Sequence, residues 1–300
     1  MRVIKVGSTN TSMVKAIQAE VGVPRDGIFG PKTQQAVASW QSKAGLVADG
    51  IVGPKTMHAM GILDTDLKNE SQFVTDEGLI IERDYLPKGE YIEEKYPIGN
   101  DYIFLHHTAG NCNPHNTIKH WGRDSRGRVA TEFVLGGQDH RTGNADYDGV
   151  MVQAFPKGCQ GWHIGKSGSY YMNRHSVGLE ICSMGYLTED LKTYVNSTAI
   201  ESQVAVLSEP FRRKTHWHRY SDKQIEATRK WLLYISSRDL IDLDVGLIKW
   251  IKKDGPIKAF GFQEDAYKGQ VKGLLTHTNV RKDKTDCFPQ DEFIDMLLSI

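Results

Sequence analysis

Apolar residues recur at helical spacing near the start of the chain. Three groups have this spacing: Met13, Val14, Ile17 and Val21, then Ala36, Val37 and Trp40, then Met57 and Met60. Such spacing places the members of each group on one side of a helix, and Thr11 can cap the first helix. The pattern predicts a compact three-helix domain over residues 1–63.

The turns that separate these helices repeat. DGIFGPKTQQAV, from Asp26, and DGIVGPKTMHAM, from Asp49, share the frame DGIxGPKTxxAx. Asp-Gly and Gly-Pro are turn signals, and the Lys-Thr pair that follows opens a helix. We expect most of the repeated positions to serve only in making these turns.

The pattern changes twice further along the chain. Residues 64–95 are charged and weakly periodic, which is typical of a linker and lead-in to a second domain. Four later apolar runs, YIFLHHTAG, EFVLGG, VMVQAFP and SVGLEICSMG, have the composition of strands, and SDKQIEATRKWLLYISSR has the spacing of an amphipathic helix. Residues 96–300 are therefore predicted to form an α/β domain with a central mixed β-sheet flanked by helices. We expect the segment 188–270 to add helices packed on that sheet.

Composition and charge exclude several classes of protein. The 300 residues are 39% hydrophobic and 25% charged, which is ordinary for globular domains. Lys plus Arg and Asp plus Glu both number 37, so the net charge of +0 gives no general attraction to nucleic acid. No stretch approaches the ~20 apolar residues of a membrane span, and MRVIKVGSTNTSMVKAIQ lacks the apolar core of a secretory signal. We expect a monomer that is made in the cytoplasm without a signal peptide.

Histidines at predicted strand ends are candidates for metal binding. His106 ends the run YIFLH, and His277 follows a second short apolar strand, with Asp286 and Cys287 shortly after it. Two histidines and one carboxylate or thiolate suit catalytic zinc, which uses three protein ligands and leaves a fourth position for water. The four cysteines, Cys112, Cys159, Cys182 and Cys287, are too scattered for a disulfide framework and are expected to be reduced.

Other histidines are expected to be structural. His107 follows His106 on the same strand, so its side chain points to the opposite face of the sheet. His216 and His218 precede the amphipathic helix and are expected at the surface or at the helix start. Cys112 and His115 have CxxH spacing, but a local Asn-Pro turn and the lack of a partner pair argue against a metal site there.

The first domain resembles the peptidoglycan-binding domain type 1 family over its full length. The resemblance rests on a helix, DGIFGPKT, a second helix that carries the pair Trp40-Gln41, and GLVADGIVGPKT. It implies a noncatalytic module that holds the protein on the bacterial cell wall, with peptidoglycan as the partner.

Residues 96–300 resemble the type 2 N-acetylmuramoyl-L-alanine amidase family, which is similar in fold to animal peptidoglycan recognition proteins. Five ordered segments carry the resemblance: FLHHTAG, VATEFVLGG, GWHIGKSG, HSVGLEICSMG and LLTHTNVRKDKTDCFP. The resemblance implies zinc-dependent hydrolysis of the amide between N-acetylmuramic acid and L-alanine. A wall-binding module without a signal peptide suits a phage endolysin that reaches the wall after release through the inner membrane, although a bacterial autolysin exported by another route also fits.

The motifs of this family imply roles for individual residues. His106 and His277 match the first two zinc ligands. The third is open, because family members end this motif with KxD or with TxC and the chain satisfies both frames, giving Asp286 or Cys287. Asp286 is favoured, since Phe288 separates Cys287 from the proline that normally follows the TxC cysteine.

The same resemblance assigns the catalytic groups. Glu180 matches the acid/base glutamate. Lys284 would stabilise the oxyanion in the KxD frame, and Thr285 would take that place in the TxC frame. His163 matches a position beside the substrate carbonyl, where its neighbour Trp162 would also contact the substrate.

Two other functions are compatible with the same sequence. The fold is shared with recognition proteins that bind wall fragments without cutting them, and such members usually lack the third zinc ligand. A peptidase that cuts within the stem peptide would carry the same wall-binding module. The identity of the released ends separates the amidase from the peptidase.

Overall fold

The computed structural model describes residues 4–8, 11–62, 72–94, 99–165 and 170–300. The helices in these ranges are α1 (Thr11–Glu20), α2 (Pro31–Lys43), α3 (Pro54–Ala59), α4 (Pro114–Trp121), α5 (Tyr170–Arg174), α6 (Asp222–Asp239), α7 (Leu247–Asp254), α8 (Pro256–Ala259), α9 (Glu264–Tyr267), α10 (His277–Val280) and α11 (Asp291–Leu298). The strands are β1 (Gln72–Val74), β2 (Ile80–Arg83), β3 (Ile92–Glu93), β4 (Tyr102–His107), β5 (Phe133–Leu135), β6 (Met151–Gln153), β7 (Cys159–Gln160), β8 (Ser176–Ile181), β9 (Tyr186–Leu187), β10 (Val204–Phe211), β11 (Lys214–His218) and β12 (Gly273–Thr276).

The N-terminal helices α1, α2 and α3 form a small unit with its own core, as the apolar spacing predicts. Its buried side chains are Ile4, Met13, Val14, Ile17, Phe29, Val37, Val52 and Met60. A backbone bridge between Ile4 and Val52 joins the start of the unit to its second turn. Each helix is too short to be stable alone, so the shared core stabilises all of them.

A buried glutamine organises each copy of the repeat. The Gln41 amide nitrogen donates to Asp49 Oδ1 (3.1 Å), to the Ile51 carbonyl (2.8 Å) and to Thr56 Oγ1 (3.0 Å), while Gln41 Oε1 accepts from the Gly50 amide (2.9 Å). Gln18 makes the corresponding four bonds to the first copy of the repeat. The repeated Asp-Gly and Thr positions therefore bind a side chain from the preceding helix in addition to making turns.

Replacing Gln41 with Leu is expected to destabilise the N-terminal unit by about 1–3 kcal/mol, because the Gly50 amide and its neighbours would lose a buried partner. Hydrogen exchange of the backbone amides in α1 and α2 measures this free energy of opening within the full chain. Gln35, which lies exposed on the same helix, provides the control variant Gln35→Leu. Equal protection in the two variants would contradict the structural role of Gln41.

The second domain is built on a mixed sheet, as predicted. Within the described residues, seven strands lie in the order β1-β2-β6-β5-β8-β4-β12. Strands β12, β4, β8 and β5 are mutually parallel neighbours, whereas β6 runs antiparallel to β5. The four apolar runs that predict strands are β4, β5, β6 and β8 of this sheet, and the run before His277 is β12.

The segment predicted as a linker contributes to the same sheet. Residues 72–94 form β1, β2 and β3, and β1 and β2 pair at one edge of the central sheet. Phe73 and Ile81 are buried there, whereas Val74 and Ile80 are about half exposed. These strands are too short and too charged to give a clear alternation in the sequence. The proposed boundaries at residues 63/64 and 95/96, like residues 64–71, lie outside the described residues.

The segment 188–270 is not purely helical, contrary to the prediction. Strands β10 and β11 form a hairpin that joins β9 in a separate three-stranded sheet before α6 begins. His216 and His218 belong to β11, and His218 is buried with its Nδ1 accepting from the Met184 amide (3.0 Å). Because this strand buries Trp217 as well as His218, it is an element of the core and not a surface lead-in to the helix.

Alternation along β4 distributes its side chains between two cores. Ile103 and Leu105 pack under α6, α7 and α11, while Tyr102 and Phe104 pack with Ile164 and Met172 on the other face. His106 continues the face of Phe104, and His107 continues that of Leu105. None of the described helices has both the length and the apolar character needed to cross a membrane.

Candidate functional site

Three neighbouring parallel strands bring the predicted site residues together. His106 lies on β4 directly opposite Glu180 on β8, and His277 follows β12 on the other side of β4. The carboxyl ends of parallel strands meet at one edge of a sheet, which is where α/β proteins place their ligands. The sheet topology therefore explains why residues so distant in sequence share one site.

Two histidines and one aspartate converge at this edge. His106 Nδ1 lies 3.1 Å from His277 Nδ1, and Asp286 Oδ2 lies 3.2 Å from the first and 3.0 Å from the second. All three residues are buried. Burial lowers the pKa of His106 to about 4 despite the raising effect of Asp286. Burial acts to raise the pKa of Asp286, but His277 and His106 outweigh it and hold that pKa well below its usual range.

The arrangement of these three atoms fits a tetrahedral metal. Bonds of about 2.0–2.1 Å to imidazole nitrogen and carboxylate oxygen separate neighbouring ligand atoms by about 3.3 Å in a tetrahedron. The three separations here, 3.0–3.2 Å, are close to that value. A neutral His106 imidazole and an ionised Asp286 carboxylate are also the protonation states that a divalent cation requires.

Cys287 lies away from this cluster. It is fully buried in the hydrophobic core, and its thiol is hydrogen-bonded with the Tyr220 side chain. Burial raises the pKa of the thiol well above its usual range, which disfavours the thiolate form that binds metals. Of the two candidates that the sequence leaves open, the geometry brings Asp286 to the histidines.

A cavity of about 310 Å³ opens above the cluster. Its wall contains His106, His107, Thr108, Ala109, Trp121, Arg126, Val129, Ala130, His163, Glu180, His277, Asp283, Lys284, Thr285 and Asp286. Both residues proposed for the oxyanion, Lys284 and Thr285, are thus present. The volume lies at the small end of the range for ligand sites, which suits a substrate that enters only in part.

Glu180 sits in the cavity wall as the strand register requires. Burial raises its pKa well above the usual range, Asp286 raises it further, and Lys284 opposes the shift. A carboxyl group with a raised pKa beside a cation is the environment that general acid–base catalysis needs.

His163 contacts the first histidine of the cluster on its far side. His163 Nδ1 lies 2.9 Å from His106 Nε2, and His163 Nε2 lies 2.7 Å from Ser176 Oγ. A methyl group at Gly178 would meet His163 Nδ1 at 3.1 Å and Thr131 Cγ2 at 2.7 Å, so the absence of a side chain on β8 makes room for this ring. The chain from Ser176 through His163 fixes the orientation of the His106 imidazole.

Trp162 and His107 make their main contacts outside the cluster of His106, His277 and Asp286. Trp162 is not in the cavity wall; its ring packs against Tyr170 with centroids 5.7 Å apart. His107 is hydrogen-bonded with the Tyr220 hydroxyl (3.0 Å) on the opposite face of the sheet, although it also contributes to the cavity wall. Residues 166–168 of GWHIGKSG lie outside the described residues.

Sequence reasoning missed Ser176 and the segment Thr108–Gly110. Ser176 could have been found, because it shares the face of Gly178 and Glu180 at the two-residue period of a strand. Ala109 could not, since its place in the wall depends on a left-handed backbone conformation (φ 46°) that alanine rarely adopts.

Comparison with known proteins gives two family matches. The N-acetylmuramoyl-L-alanine amidase model matches residues 95–287, and the peptidoglycan binding domain model matches residues 11–60. Among proteins with curated functions, none matches the chain significantly.

Several solved structures share low similarity with the chain. PlyL is 14% identical, with a TM-score of 0.38 over 69% of this chain and 85% of that one. A selenomethionine derivative of AmpD is also 14% identical, with a TM-score of 0.38 over 75% of this chain and 99% of that one. PGRP-SA from Apis mellifera is 15% identical, with a TM-score of 0.34 over 67% of this chain and 84% of that one.

Proposed function

Because the chain belongs to the N-acetylmuramoyl-L-alanine amidase family, we propose that it uses zinc to hydrolyse the amide between N-acetylmuramic acid and L-alanine in peptidoglycan. One observation carries the proposal: His106 Nδ1, His277 Nδ1 and Asp286 Oδ2 converge within 3.2 Å of one another beneath a cavity lined by Glu180 and Lys284. A noncatalytic recognition protein would not need this complete set.

We propose that His106, His277 and Asp286 hold the zinc ion. When bound, zinc lowers the pKa of water from 15.7 to about 7 and polarises a carbonyl group. The fit of the three donor atoms to a tetrahedral site supports this assignment, as does the ionised state of Asp286. Cys287 is not part of the proposed ligand set.

The remaining groups of the wall have roles in proton transfer and charge stabilisation. Glu180 takes the proton of the attacking water as the oxygen–carbon bond forms, and delivers a proton to the L-alanine nitrogen as the amide C–N bond breaks. The Lys284 ammonium stabilises the negative charge that develops on the carbonyl oxygen, a role for which one donor contributes about 3–4 kcal/mol. Thr285, which follows Lys284 in the cavity wall, would take this role if Cys287 were the third zinc ligand.

His163 is proposed to position His106, in place of the direct contact with the substrate carbonyl that the resemblance implies. Replacing His163 with Ala is expected to weaken zinc binding about 10–100-fold, the usual cost of removing a group that orients a metal ligand. Competition with a chromogenic chelator measures the affinity, and kcat at saturating zinc is measured in parallel. A loss confined to kcat, with unchanged zinc affinity, would instead favour contact with the substrate.

The N-terminal unit is proposed to hold the enzyme on the cell wall. The family match over residues 11–60 supports peptidoglycan as its partner. An amidase joined to a wall-binding module is suited to lysis, and we infer that the protein acts as a phage endolysin. Expression in a host with and without a membrane-permeabilising protein tests this use: lysis that depends on permeabilisation supports it, and lysis without permeabilisation contradicts it.

The bond that is cut is tested on purified sacculi. Digestion should release new L-alanine N-termini and muramic acid residues with a free lactyl carboxylate, identified by mass spectrometry. The variant Asp286→Asn serves as the inactive control for contaminating hydrolases. New N-termini on any other residue would identify a peptidase, and the absence of new termini with retained wall binding would identify a recognition protein.

A further inference from the structure

The connection between β9 and β10 exposes two large apolar side chains at its tip. Tyr194 is 59% exposed and Val195 is 56% exposed. They occupy the two central positions of a tight turn, in which the Asn196 amide donates to the Thr193 carbonyl (2.9 Å) and Asn196 has a left-handed backbone (φ 60°). Two adjacent exposed apolar side chains at the tip of a turn form a surface that can contact a ligand.

The turn is held rigidly by its own flanks and by a neighbouring loop. The Thr193 amide donates to the Ser197 carbonyl (2.8 Å), and the Ser197 amide donates to Thr193 Oγ1 (3.1 Å). Ser197 Oγ lies 2.7 Å from His140 Nε2, and Thr193 itself is buried. The tip is therefore preorganised, which reduces the entropy that a ligand would lose on contact with it.

The tip is joined directly to the rim of the catalytic cavity. The Tyr194 hydroxyl donates to the Ala109 carbonyl (2.8 Å), and Ala109 is part of the cavity wall. The segment that contains Ala109 is itself held in place by backbone hydrogen bonds. The Thr108 amide donates to the Ile181 carbonyl (3.0 Å) at the end of β8, and the Gly110 amide donates to the Ser183 carbonyl (3.1 Å) just after it. Tyr194 itself lies outside the wall, so it extends the site beyond the cavity.

We propose that Tyr194 binds the glycan strand of the substrate, by stacking its ring on the saccharide unit next to the N-acetylmuramic acid whose amide is cut. This inference rests on the proposed function, because the scissile amide has to reach the cavity floor and its muramic acid must then lie in the cavity. The glycan continues outward from that residue and meets the rim. Hexosamines present an apolar C–H face, and a tyrosine whose hydroxyl is already bonded offers its ring without leaving a polar group unpaired.

The test compares Tyr194→Ala with Tyr194→Phe on two soluble substrates. One is an N-acetylmuramoyl-peptide with a single sugar, and the other carries the same peptide on a tetrasaccharide. Tyr194→Ala should lower kcat/KM on the tetrasaccharide about tenfold, chiefly by raising KM. This is the effect expected from the loss of one aromatic contact. Activity on the single-sugar substrate should stay at the wild-type level, and Tyr194→Phe should match the wild type on both substrates.

A control variant and the wild-type activity separate a failure of the Tyr194 role from a failure of the proposed function. Tyr267→Ala removes another exposed tyrosine that is not in the cavity wall, and it should leave kcat/KM on both substrates unchanged. Three results would each overturn the role of the ring: no loss with Tyr194→Ala on the tetrasaccharide, equal losses on both substrates, or a Tyr194→Phe variant with the same loss as Tyr194→Ala. If the wild type releases no L-alanine N-terminus from either substrate, the proposed function itself fails.

Discussion

Replacing Asp286 with Asn is expected to abolish zinc binding and amidase activity together. The substitution keeps the shape of the side chain but removes the negative charge that lies 3.0–3.2 Å from the two imidazoles. Loss of an orienting partner lowers zinc affinity about 10–100-fold, and loss of a direct ligand should lower it further. Zinc content after gel filtration and the rate of L-alanine N-terminus release are the two measurements.

Cys287→Ser is the matched control, since it alters the adjacent residue and the other frame of the motif. Cys287 is buried beside Tyr220, and a serine hydroxyl can replace its thiol in that contact. We expect some loss of stability, about 1–3 kcal/mol for an imperfectly satisfied buried hydroxyl, with zinc content unchanged. Zinc release by Cys287→Ser with retention by Asp286→Asn would reverse the assignment and transfer the oxyanion role from Lys284 to Thr285.

Replacing Glu180 with Gln is expected to lower kcat about 10²–10⁴-fold while zinc content stays at the wild-type level. The amide keeps the size of the side chain opposite His106 but can neither accept the proton of water nor return it to the leaving nitrogen. Single-turnover rates on a soluble muropeptide, measured at saturating zinc, give this effect.

The control for Glu180 is a glutamate outside the cavity. Glu226 on α6 is paired with Arg229 at the surface, and Glu226→Gln should leave kcat unchanged. If Glu180→Gln kept its rate, or lost zinc along with activity, the proton-transfer role would be wrong. Retention of zinc is what separates an acid/base residue from a residue that supports the metal.

Strand periodicity was sufficient to predict the centre of the fold. The run that contains His106 is fully buried, and its alternation sends His106 and His107 to opposite faces, as the structure has them. The parallel pairing of β4 with β8 and β12 then explains why His106, Glu180 and His277 meet. What the residues alone left open was the third ligand, because Asp286 and Cys287 are adjacent and both donor types suit zinc.

Contacts made by individual polar side chains could not be predicted in the same way. Gln18 and Gln41 read as ordinary polar helix residues, yet each is bound by the turn that follows it. His163 satisfies a family position, and strand periodicity places Ser176 on the face of Gly178, but the hydrogen bond between His163 and Ser176 depends on how the ring packs across Gly178. The hairpin β10–β11 was expected to be helical, because β10 buries only two of its eight residues and therefore carries a weak apolar alternation.

The most direct test of a zinc amidase built on His106, His277 and Asp286 is a zinc titration of the metal-free protein. The rate of L-alanine N-terminus release from a defined muropeptide is followed as zinc is added. We expect no activity without metal and a linear rise that saturates at one equivalent of zinc per chain. A metal-free protein that cleaves at the full rate would contradict a zinc-dependent mechanism.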